Sequence, residues 1–265
     1  MKYLVTGGAG FIGSLVARKL LDAGNEVTII DNLSTGYKSN IPNQAHFIYG
    51  DVSKIETIKK LKNFFFDAIL HIAGQSSGEI SFENPINDLN ANTISTLLLL
   101  DYACQINCKK IIFASSMAVY GEQQGKEQYI ENDSVYPKSF YAVSKLASEN
   151  YIKIYKENFG VNYTILRFSN IYGPQQNFNN FKQGMVSIYL AQYLDNSLQN
   201  VVVKGSNKRF RDQCYIEDAV NITIKSILDK KFNNEVINVG TGIKTSVEEV
   251  IFLIQKILSI KKIIV

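Results

Sequence analysis

The chain has 265 residues with 46% hydrophobic side chains, and its 28 basic and 24 acidic residues leave a net charge of only +4. The size predicts a large core, and because the charges are spread along the chain and no apolar run approaches about 18 residues, we expect neither a nucleic-acid nor a membrane partner. Three cysteines cannot all pair and only two histidines are present, so we expect reduced thiols, a cytoplasmic location and no metal site.

The first part of the chain is predicted to form a strand, a helix and a second strand. Residues 2–5 form a short apolar strand, residues 14–23 form a helix, and residues 26–30 form a second strand that leads to Asp31. A βαβ unit of this kind is typical of a parallel sheet covered by helices on its faces.

A turn with the spacing Gly-x-x-Gly-x-x-Gly joins the first strand to the helix. Gly7 permits a tight turn, Gly10 lets a pyrophosphate approach the backbone, and Gly13 allows the helix to pack closely on the strand. The free N–H groups at the start of the helix are suited to bind phosphates. The turn predicts a dinucleotide site, and a glycine-rich turn in some other βαβ unit is the alternative.

Asp31 stands at the end of the second strand, where its carboxylate can accept hydrogen bonds from both hydroxyls of a ribose. The same carboxylate would repel a 2′-phosphate. We therefore expect NAD rather than NADP as the cofactor.

Strands and helices continue to alternate after Asp31. We therefore expect an α/β fold with a doubly wound parallel Rossmann sheet, whose ligands bind outside the carboxyl ends of the strands. Beyond Asn170, residues 201–203, residues 236–238 and a helix from Ser246 fit a smaller layer that closes over the cofactor. Further strands are expected at residues 46–50, 67–72, 109–114 and 162–168, and helices at residues 53–63, 85–107 and 140–159.

Tyr141 and Lys145 lie four residues apart on the predicted helix 140–159 and so share one face. An ammonium group near a tyrosine favours the phenolate and lowers the pKa, as does the positive nicotinamide of NAD, so Tyr141 can act as a general base. Taken alone, the spacing is also typical of an ordinary helix surface. Ser116 ends an earlier strand and can hydrogen-bond the same substrate hydroxyl, unless Ser115 and Ser116 only cap that strand.

The glycine turn followed by Ser116, Tyr141 and Lys145 resembles the extended short-chain dehydrogenase/reductases, and among them the NAD-dependent epimerase/dehydratase family that acts on nucleotide sugars. The resemblance is closest to the UDP-glucose 4-epimerases. It implies that these three side chains are the catalytic set, that NAD is the cofactor, and that a nucleotide-diphosphate sugar is the substrate.

The resemblance also implies a larger set of cofactor contacts. Residues 51–52 match the pair at the adenine ring, and residues 73–75 match the stretch beside the second ribose and the pyrophosphate. Asn92 matches the asparagine of an Asn-x-x-Gly-Thr motif, in which this chain has Ser95 in place of the glycine. The implied contacts are Gly7, Gly10, Phe11, Ile12, Gly13, Asp31, Asn32, Ser34, Thr35, Gly36, Asp51, Val52, Ala73, Gly74, Gln75, Asn92, Tyr141 and Lys145.

Substrate contacts are implied in the same way. Asn170 lies in the segment 167–174, which resembles the loop that passes the nicotinamide and reaches the sugar. Arg211 is followed by an aspartate, as is the family's arginine that holds the diphosphate in a bidentate fork. For Arg211 the alternative is a surface salt bridge with Glu217 or Asp218. The implied substrate contacts are Ser76, Ser116, Asn170 and Arg211.

The residues after Ser116 bear on the reaction. Dehydratases of the family, and usually its decarboxylases, carry an acidic residue there, where this chain has Met117 and Ala118, which cannot transfer protons. The resemblance therefore implies a nucleotide-sugar 4-epimerase with tightly bound NAD. A dehydratase or another sugar epimerase of polysaccharide synthesis is the alternative.

The family also implies a domain organisation and an assembly. We expect an NAD-binding domain at residues 1–170 and a smaller, partly interleaved substrate-binding lobe at residues 171–265. Because family members usually continue further, the lobe is expected to be truncated, which leaves open a weakly active or non-catalytic NAD-binding protein. A homodimer is implied through the helix 88–107 and the helix of Tyr141, with exposed apolar area from residues 97–100 and Tyr102, unless these pack on the sheet.

Overall fold

The computed structural model of the protein describes residues 1–123, 126, 128–178 and 182–265. Within this part of the chain, no helix combines the length and the apolar composition needed to cross a membrane. The described residues also contain no group of three or more His, Cys, Asp or Glu side chains that could hold a metal ion.

Strands and helices alternate along the chain. The strands are β1 (Lys2–Thr6), β2 (Glu26–Asp31), β3 (His46–Tyr49), β4 (Ala68–His71), β5 (Lys110–Ser116), β6 (Asn162–Phe168), β7 (Asn170–Tyr172), β8 (Asn200–Val201), β9 (Phe210–Tyr215), β10 (Glu235–Val239), β11 (Lys244–Ser246) and β12 (Ile263–Ile264). The helices are α1 (Phe11–Asp22), α2 (Ile55–Lys59), α3 (Gly78–Glu83), α4 (Pro85–Leu89), α5 (Ser95–Gln105), α6 (Phe140–Phe159), α7 (Met185–Leu194), α8 (Ile216–Leu228) and α9 (Val247–Leu258).

The chain divides into two compact units, and the first consists of Met1–Phe168 and Glu217–Val239. It contains a seven-stranded sheet in the order β10-β6-β5-β4-β1-β2-β3, in which every pair of neighbours is parallel. This confirms the predicted α/β fold with a parallel Rossmann sheet. Because the chain passes from β3 back to β4 on the other side of β1, the strand order reverses beside β1, which is where such sheets bind their ligands.

The core of the first unit lies between the central strands and the helices that cover them. Leu4 of β1, Ile69 of β4 and Phe113 of β5 are fully buried. Leu99 and Leu100 of α5 join this cluster with exposed fractions of 0%, and Tyr102 of the same helix is 3% exposed. The expectation that these three side chains offer exposed apolar area is therefore wrong, because α5 turns them toward the sheet.

Two predicted elements differ from the observed ones. The helix expected at residues 53–63 is confined to α2, and Ser53 does not cap it, since the Ser53 N–H and hydroxyl both donate to Asp51. Residues 236–238, expected in the smaller layer, belong to β10, which pairs with β6 at the edge of the large sheet. Backbone pairing with β6 places residues 236–238 in the large sheet, and the local sequence of these residues does not show which strand they pair with.

The second unit consists of Ser169–Ile216 and Gly240–Val265. Its three-stranded sheet has the order β11-β9-β7, and β12 pairs with β8 in a separate ladder. Helices α7 and α9 pack on each other through buried side chains that include Tyr193 and Ile251. Ser246 caps α9, and the Ser246 side chain and Glu249 form a reciprocal capping box.

Candidate active site

The glycine-rich turn leads from β1 into α1, whose first residues are Phe11 and Ile12. The Gly7 N–H donates to the Ile30 carbonyl at 2.8 Å, and Gly7 has a φ of +72°, a conformation that favours glycine. A Cβ on Gly13 would lie 2.1 Å from the Gly7 carbonyl oxygen, so helix and turn can approach this closely only with glycine there. The interpretation of both glycines from the sequence agrees with this geometry.

The carboxylate of Asp31 lies at the carboxyl end of β2, directly beside the turn. Its Oδ2 accepts the Ala9 N–H at 3.0 Å, and its Oδ1 accepts the Leu33 N–H at 2.8 Å. The following loop returns to the turn, since the Tyr37 N–H donates to the Ala9 carbonyl at 3.1 Å. The predicted contacts Asn32, Ser34, Thr35 and Gly36 all lie in this loop.

The other predicted cofactor segments follow neighbouring strands. Asp51 and the buried Val52 come after β3. Residues 73–75 come after β4, and the Ala73 N–H donates to the Thr6 hydroxyl of β1 at 3.2 Å. The exposed Ser76 lies one residue further along. Because the strands are parallel, all of these residues lie at the same edge of the sheet as the glycine turn.

Tyr141, Lys145 and Ser116 come together at the carboxyl end of β5. Ser139 caps α6, so Tyr141 lies in the first turn of this helix and Lys145 one turn later. Ser116 is the last residue of β5; its hydroxyl accepts the Ala118 N–H at 3.1 Å and is close enough to Tyr141 to lower the pKa of the phenol. Lys145 is tied to the same strand, because its Nζ donates to the Ala114 carbonyl at 2.8 Å. Its Nζ also lies 5.9 Å from the centre of the Tyr141 ring.

The pKa of each buried group at this point is shifted. Burial raises the pKa of Tyr141 to about 12, the hydrogen bond with Ser116 opposes this rise, and the charge of Asp88 adds to it. Burial lowers the pKa of Lys145 to about 8, against the charges of Asp88 and Glu149. The pKa of Tyr141 is raised, whereas the sequence led us to expect a lowered pKa. In the protein without cofactor, the cost of removing the phenolate from water outweighs the favourable contacts of the phenolate.

Asn92 lies in a wider π turn, Asn90–Ile94, between α4 and α5. It is fully buried, and its Nδ2 donates to the Gln75 carbonyl at 3.0 Å and to Asp88 at 3.2 Å. Its main-chain carbonyl accepts the hydroxyls of Thr96 and Ser148. Its Oδ1 has no hydrogen-bond partner among the described residues, which leaves a buried acceptor beside the residues predicted to bind the cofactor.

Sequence reasoning missed two buried carboxylates next to this set. Glu149 lies one turn beyond Lys145 on α6 and pairs with Arg167 of β6. Asp88 lies on α4 and accepts hydrogen bonds from Gln75 and Asn92. The spacing of Tyr141, Lys145 and Glu149, four residues apart in turn, was a signal for the first. Asp88 also had a local signal, because Asn92 follows it by four residues, whereas its other partner, Gln75, comes from the loop after β4.

The remaining predicted substrate contacts lie in the second unit. Asn170 begins β7, and its Nδ2 donates to the Asp212 carbonyl at 3.4 Å. Arg211 of β9 is exposed, and its guanidinium donates to the carbonyl of Phe210. The carboxylate of Asp212 accepts the N–H and the hydroxyl of Thr241 and the N–H of Gly242, at 2.7 to 2.9 Å. Asp212 therefore anchors the strand of Arg211 to the turn at residues 240–242.

The residues around the glycine turn fit a dinucleotide. A Cβ on Gly10 would meet only the Gly7 carbonyl, at 3.2 Å, so a pyrophosphate can approach this face of the turn and the N-terminus of α1. The sequence model described as the NAD dependent epimerase/dehydratase family matches residues 3–240. The chain belongs to this family of enzymes. NAD is the family's cofactor, and the glycine turn, Asp31 and Asn92 are the residues that would hold it here.

Members of the epimerase/dehydratase family with known structures share this fold. The UDP-glucose 4-epimerase of Thermotoga maritima, solved with UDP-glucose, superposes with a TM-score of 0.94 at 32% identity, over 100% of this chain and 85% of that one. The UDP-glucose 4-epimerase of Thermus thermophilus, solved with NAD, gives a TM-score of 0.92 at 32% identity, over 100% of this chain and 86% of that one. An uncharacterized UDP-glucose epimerase of Bacillus subtilis (strain 168) is 33% identical over 97% of this chain and 82% of its own length.

Proposed function

We propose that the protein is a nucleotide-sugar 4-epimerase with tightly bound NAD, acting on UDP-glucose and UDP-galactose. The observation that carries this proposal is the convergence of Ser116, Tyr141 and Lys145 at the carboxyl end of β5. It lies in the same unit as the turn that fits the dinucleotide. The named relatives support a UDP-hexose as the substrate.

The reaction begins with a proton transfer from the C4 hydroxyl of the sugar. The Ser116 hydroxyl hydrogen-bonds this oxygen, and the phenolate of Tyr141 takes its proton. When bound, NAD supplies the acceptor for the hydrogen and the electron pair that leave C4, so a 4-keto sugar forms. After the keto sugar has turned over, Tyr141 would return the proton to the C4 oxygen, and C4 would regain the hydride from the reduced cofactor on its opposite face, so that no net oxidation results.

Formation of the phenolate depends on positive charge near Tyr141. In the protein alone, burial holds the pKa of Tyr141 at about 12, so little phenolate is present at neutral pH. The nicotinamide of NAD carries a positive charge, which favours the phenolate. We infer that Tyr141 becomes a base only when the oxidised cofactor is in place.

The residues after Ser116 favour epimerisation over loss of water. Met117 and Ala118 begin a short turn directly after β5 and have no group that can donate or accept a proton. Elimination of water across C5 and C6 needs an acid and a base at the sugar. Epimerisation needs only the set that is already present.

Three further side chains are proposed to bind the substrate. The exposed guanidinium of Arg211 is suited to pair with two oxygens of the diphosphate. Asn170 and Ser76 are proposed to contact the sugar, as the family resemblance implies.

Replacing Arg211 by Ala should raise the KM for the nucleotide sugar and leave NAD binding unchanged.

A homodimer is also proposed, through α6, as the family resemblance implies, together with α3 and α4 beside it. Helices α3 and α4 pack against α6, and the rings of Phe82 and Phe140 meet edge to face with their centres 5.5 Å apart. Both rings are exposed, as are Ile86, Val143 and Ile154. Val143→Glu with Ile154→Glu should give a monomer by light scattering, and Ile257→Glu, at an exposed position of α9, is the matched control.

The deciding experiment measures interconversion of UDP-glucose and UDP-galactose by the protein and its Tyr141→Phe variant. We expect turnover by the wild type, a loss of about 10²- to 10⁴-fold in Tyr141→Phe, and nearly unchanged NAD affinity. Tyr151→Phe, at an exposed position of the same helix, is the control. An active Tyr141→Phe variant would contradict the role of the base. A wild type that forms NADH without releasing product would support the weakly active alternative, and one that binds NAD without forming NADH would support the non-catalytic alternative.

A further inference from the structure

Asp88 is a buried carboxylate without an assigned role, on a helix that packs against the helix of Tyr141 and Lys145. Asp88 is on α4, which Asn84 caps and Pro85 begins, and α4 packs against α6. The side chain is fully buried. In the described part of the chain no Lys, Arg or His nitrogen lies within ion-pair distance of it. A charge in this position is costly unless it has a function or strong compensation.

Asp88 contributes to the orientation of two amides that are predicted to contact the cofactor, together with the backbone of Ser77 for Gln75 and the Gln75 carbonyl for Asn92. Its Oδ1 accepts Nε2 of Gln75 at 2.8 Å and Nδ2 of Asn92 at 3.2 Å. A carboxylate only accepts hydrogen bonds, so each amide must present its NH₂ end to it. The acceptor end of each amide is therefore turned away from Asp88.

For Asn92 this orientation places an acceptor next to the lysine. A Cβ on Gly74 would lie 2.5 Å from Oδ1 of Asn92 and 3.1 Å from Nζ of Lys145, so both atoms border the same small space. Oδ1 of Asn92 is buried and has no hydrogen-bond partner among the described residues. A flip of this amide would put NH₂ beside an ammonium, and the hydrogen bond to Asp88 opposes that flip.

The charge of Asp88 also acts on the reactive groups. It raises the pKa of Tyr141 and the pKa of Lys145. Glu149, the other buried carboxylate whose charge raises the pKa of Lys145, also forms a bidentate pair with Arg167. On the strand side, burial and the charge of Lys145 lower the pKa of His71 to about 3, so His71 carries no charge at neutral pH.

We propose that Asp88 is a positioning residue of this site, which helps to orient the amides of Gln75 and Asn92 and is one of two buried carboxylates near Lys145. The inference rests on the proposed function, because it assigns Asp88 a part in deciding when Tyr141 can take a proton. Without Asp88, Tyr141 ionises more readily, and each amide loses one of the two acceptors that align it.

Two substitutions separate the charge from the hydrogen bonds. Asp88→Asn removes the charge and keeps an acceptor oxygen, whereas Asp88→Ala removes both. In Asp88→Asn we expect the acidic limb of the pH–rate profile to move to lower pH, with NAD affinity within about twofold of wild type. In Asp88→Ala we expect NAD affinity to fall about two- to tenfold, as for loss of one neutral hydrogen bond. Asp101→Asn, at an exposed position of α5, is the control.

A second measurement keeps the inference testable if no epimerase activity is found. Each protein is titrated with base, and the ultraviolet absorbance of its phenolates is followed. The part of the absorbance change that is absent in Tyr141→Phe belongs to Tyr141. We expect the midpoint of that part to fall in Asp88→Asn and to stay in place in Asp101→Asn. An unchanged midpoint, or wild-type NAD affinity in Asp88→Ala, would overturn the proposal. Absent turnover with a shifted midpoint would overturn only the proposed function.

Discussion

Glu149 and Arg167 form a bidentate ion pair in the interior of the first unit. Nε of Arg167 donates to Oε1 at 3.0 Å, Nη2 donates to Oε2 at 2.6 Å, and the side chains are 0% and 4% exposed. The Ser115 hydroxyl also donates to Oε1, and Nη1 of Arg167 donates to the Tyr120 hydroxyl at 2.7 Å. The pair thus joins α6, with Tyr141, to β5, with Ser116, and to β6.

Glu149→Gln should destabilise the protein strongly, because it leaves a buried guanidinium without its counter-charge. The expected loss in the free energy of unfolding is about 3–5 kcal/mol, measured by urea titration. Glu149→Gln combined with Arg167→Met should recover part of the loss. Glu26→Gln, in an exposed pair with Lys2, should change little. An equal loss of unfolding free energy in Glu149→Gln and Glu26→Gln would contradict the prediction that the buried ion pair stabilises the protein more than the exposed one.

Gly13→Ala should impair NAD binding, because the added Cβ would lie 2.1 Å from the Gly7 carbonyl oxygen and 3.1 Å from the Gly8 Cα. Helix α1 or the turn must then shift, at a cost of about 1–3 kcal/mol. The matched control is Gly78→Ala at the start of α3, where the nearest atom is 3.7 Å away. Titration of both variants with NAD checks the prediction, which fails if Gly13→Ala binds NAD as tightly as Gly78→Ala.

His71 should make the protein less stable as the pH falls. Its ring nitrogens face the Thr6 hydroxyl at 2.9 Å and the Thr96 hydroxyl at 3.1 Å, and burial lowers its pKa to about 3. The unfolded chain has a histidine pKa of about 6.5, so it binds the proton more tightly than the folded protein. The contribution of neutral His71 to the free energy of unfolding is therefore complete above about pH 6.5 and is lost as the pH falls toward 3.

The measurement compares the unfolding free energy of variants between pH 7 and pH 4. His71→Gln should flatten the fall by up to about 1.4 kcal/mol per pH unit, the value for one proton. His46→Gln is the control, since His46 is exposed. Parallel curves for wild type and His71→Gln would show that His71 is not the titrating group.

Asp212→Ala should weaken substrate binding without touching the cofactor. The carboxylate holds Thr241 and Gly242, and Gly240 leaves it room, because a Cβ there would lie 2.4 Å from Oδ2. Loss of this anchor frees the strand of Arg211, so we expect KM for the nucleotide sugar to rise about tenfold, as for loss of one charged hydrogen bond. NAD affinity should be unchanged.

The control for this prediction is Asp195→Ala. Asp195 also accepts the N–H and hydroxyl of a nearby residue, Ser197, in the second unit, but it lies at the end of α7 rather than beside Arg211. Steady-state kinetics of both variants should separate them. A similar KM in the two would argue against the anchoring role of Asp212.

Local signals predicted much of the fold. The bounds of α6 and β6 agree with the expected residues 140–159 and 162–168, because Gly160 ends the helix in a left-handed conformation that the sequence makes recognisable. The glycine turn and its two flanking strands were equally recognisable. The catalytic roles of Ser116, Tyr141 and Lys145 remain predictions, although the structure brings these residues together.

Long-range relationships could not be predicted. Pairing with β6 places residues 235–239 in the large sheet, and α5 directs Leu99 and Leu100 inward. The raised pKa of Tyr141 depends on burial and on Asp88, which lies 53 positions earlier in the chain. These effects come from segments that meet only after folding, so no local pattern records them.

The wide turn at Asn90–Ile94 leads directly into α5. The number of residues in this stretch determines the direction in which Asn92 points relative to Leu99 and Leu100. Asn92, a predicted cofactor contact, faces Gln75 and Asp88, whereas Leu99 and Leu100 face the apolar interior, and each residue of an α-helix advances the direction by about 100°. Deleting one residue between them would swing the leucines out of the interior while leaving their hydrophobicity unchanged. An insertion or a deletion here would therefore misplace these side chains even where every residue keeps its identity.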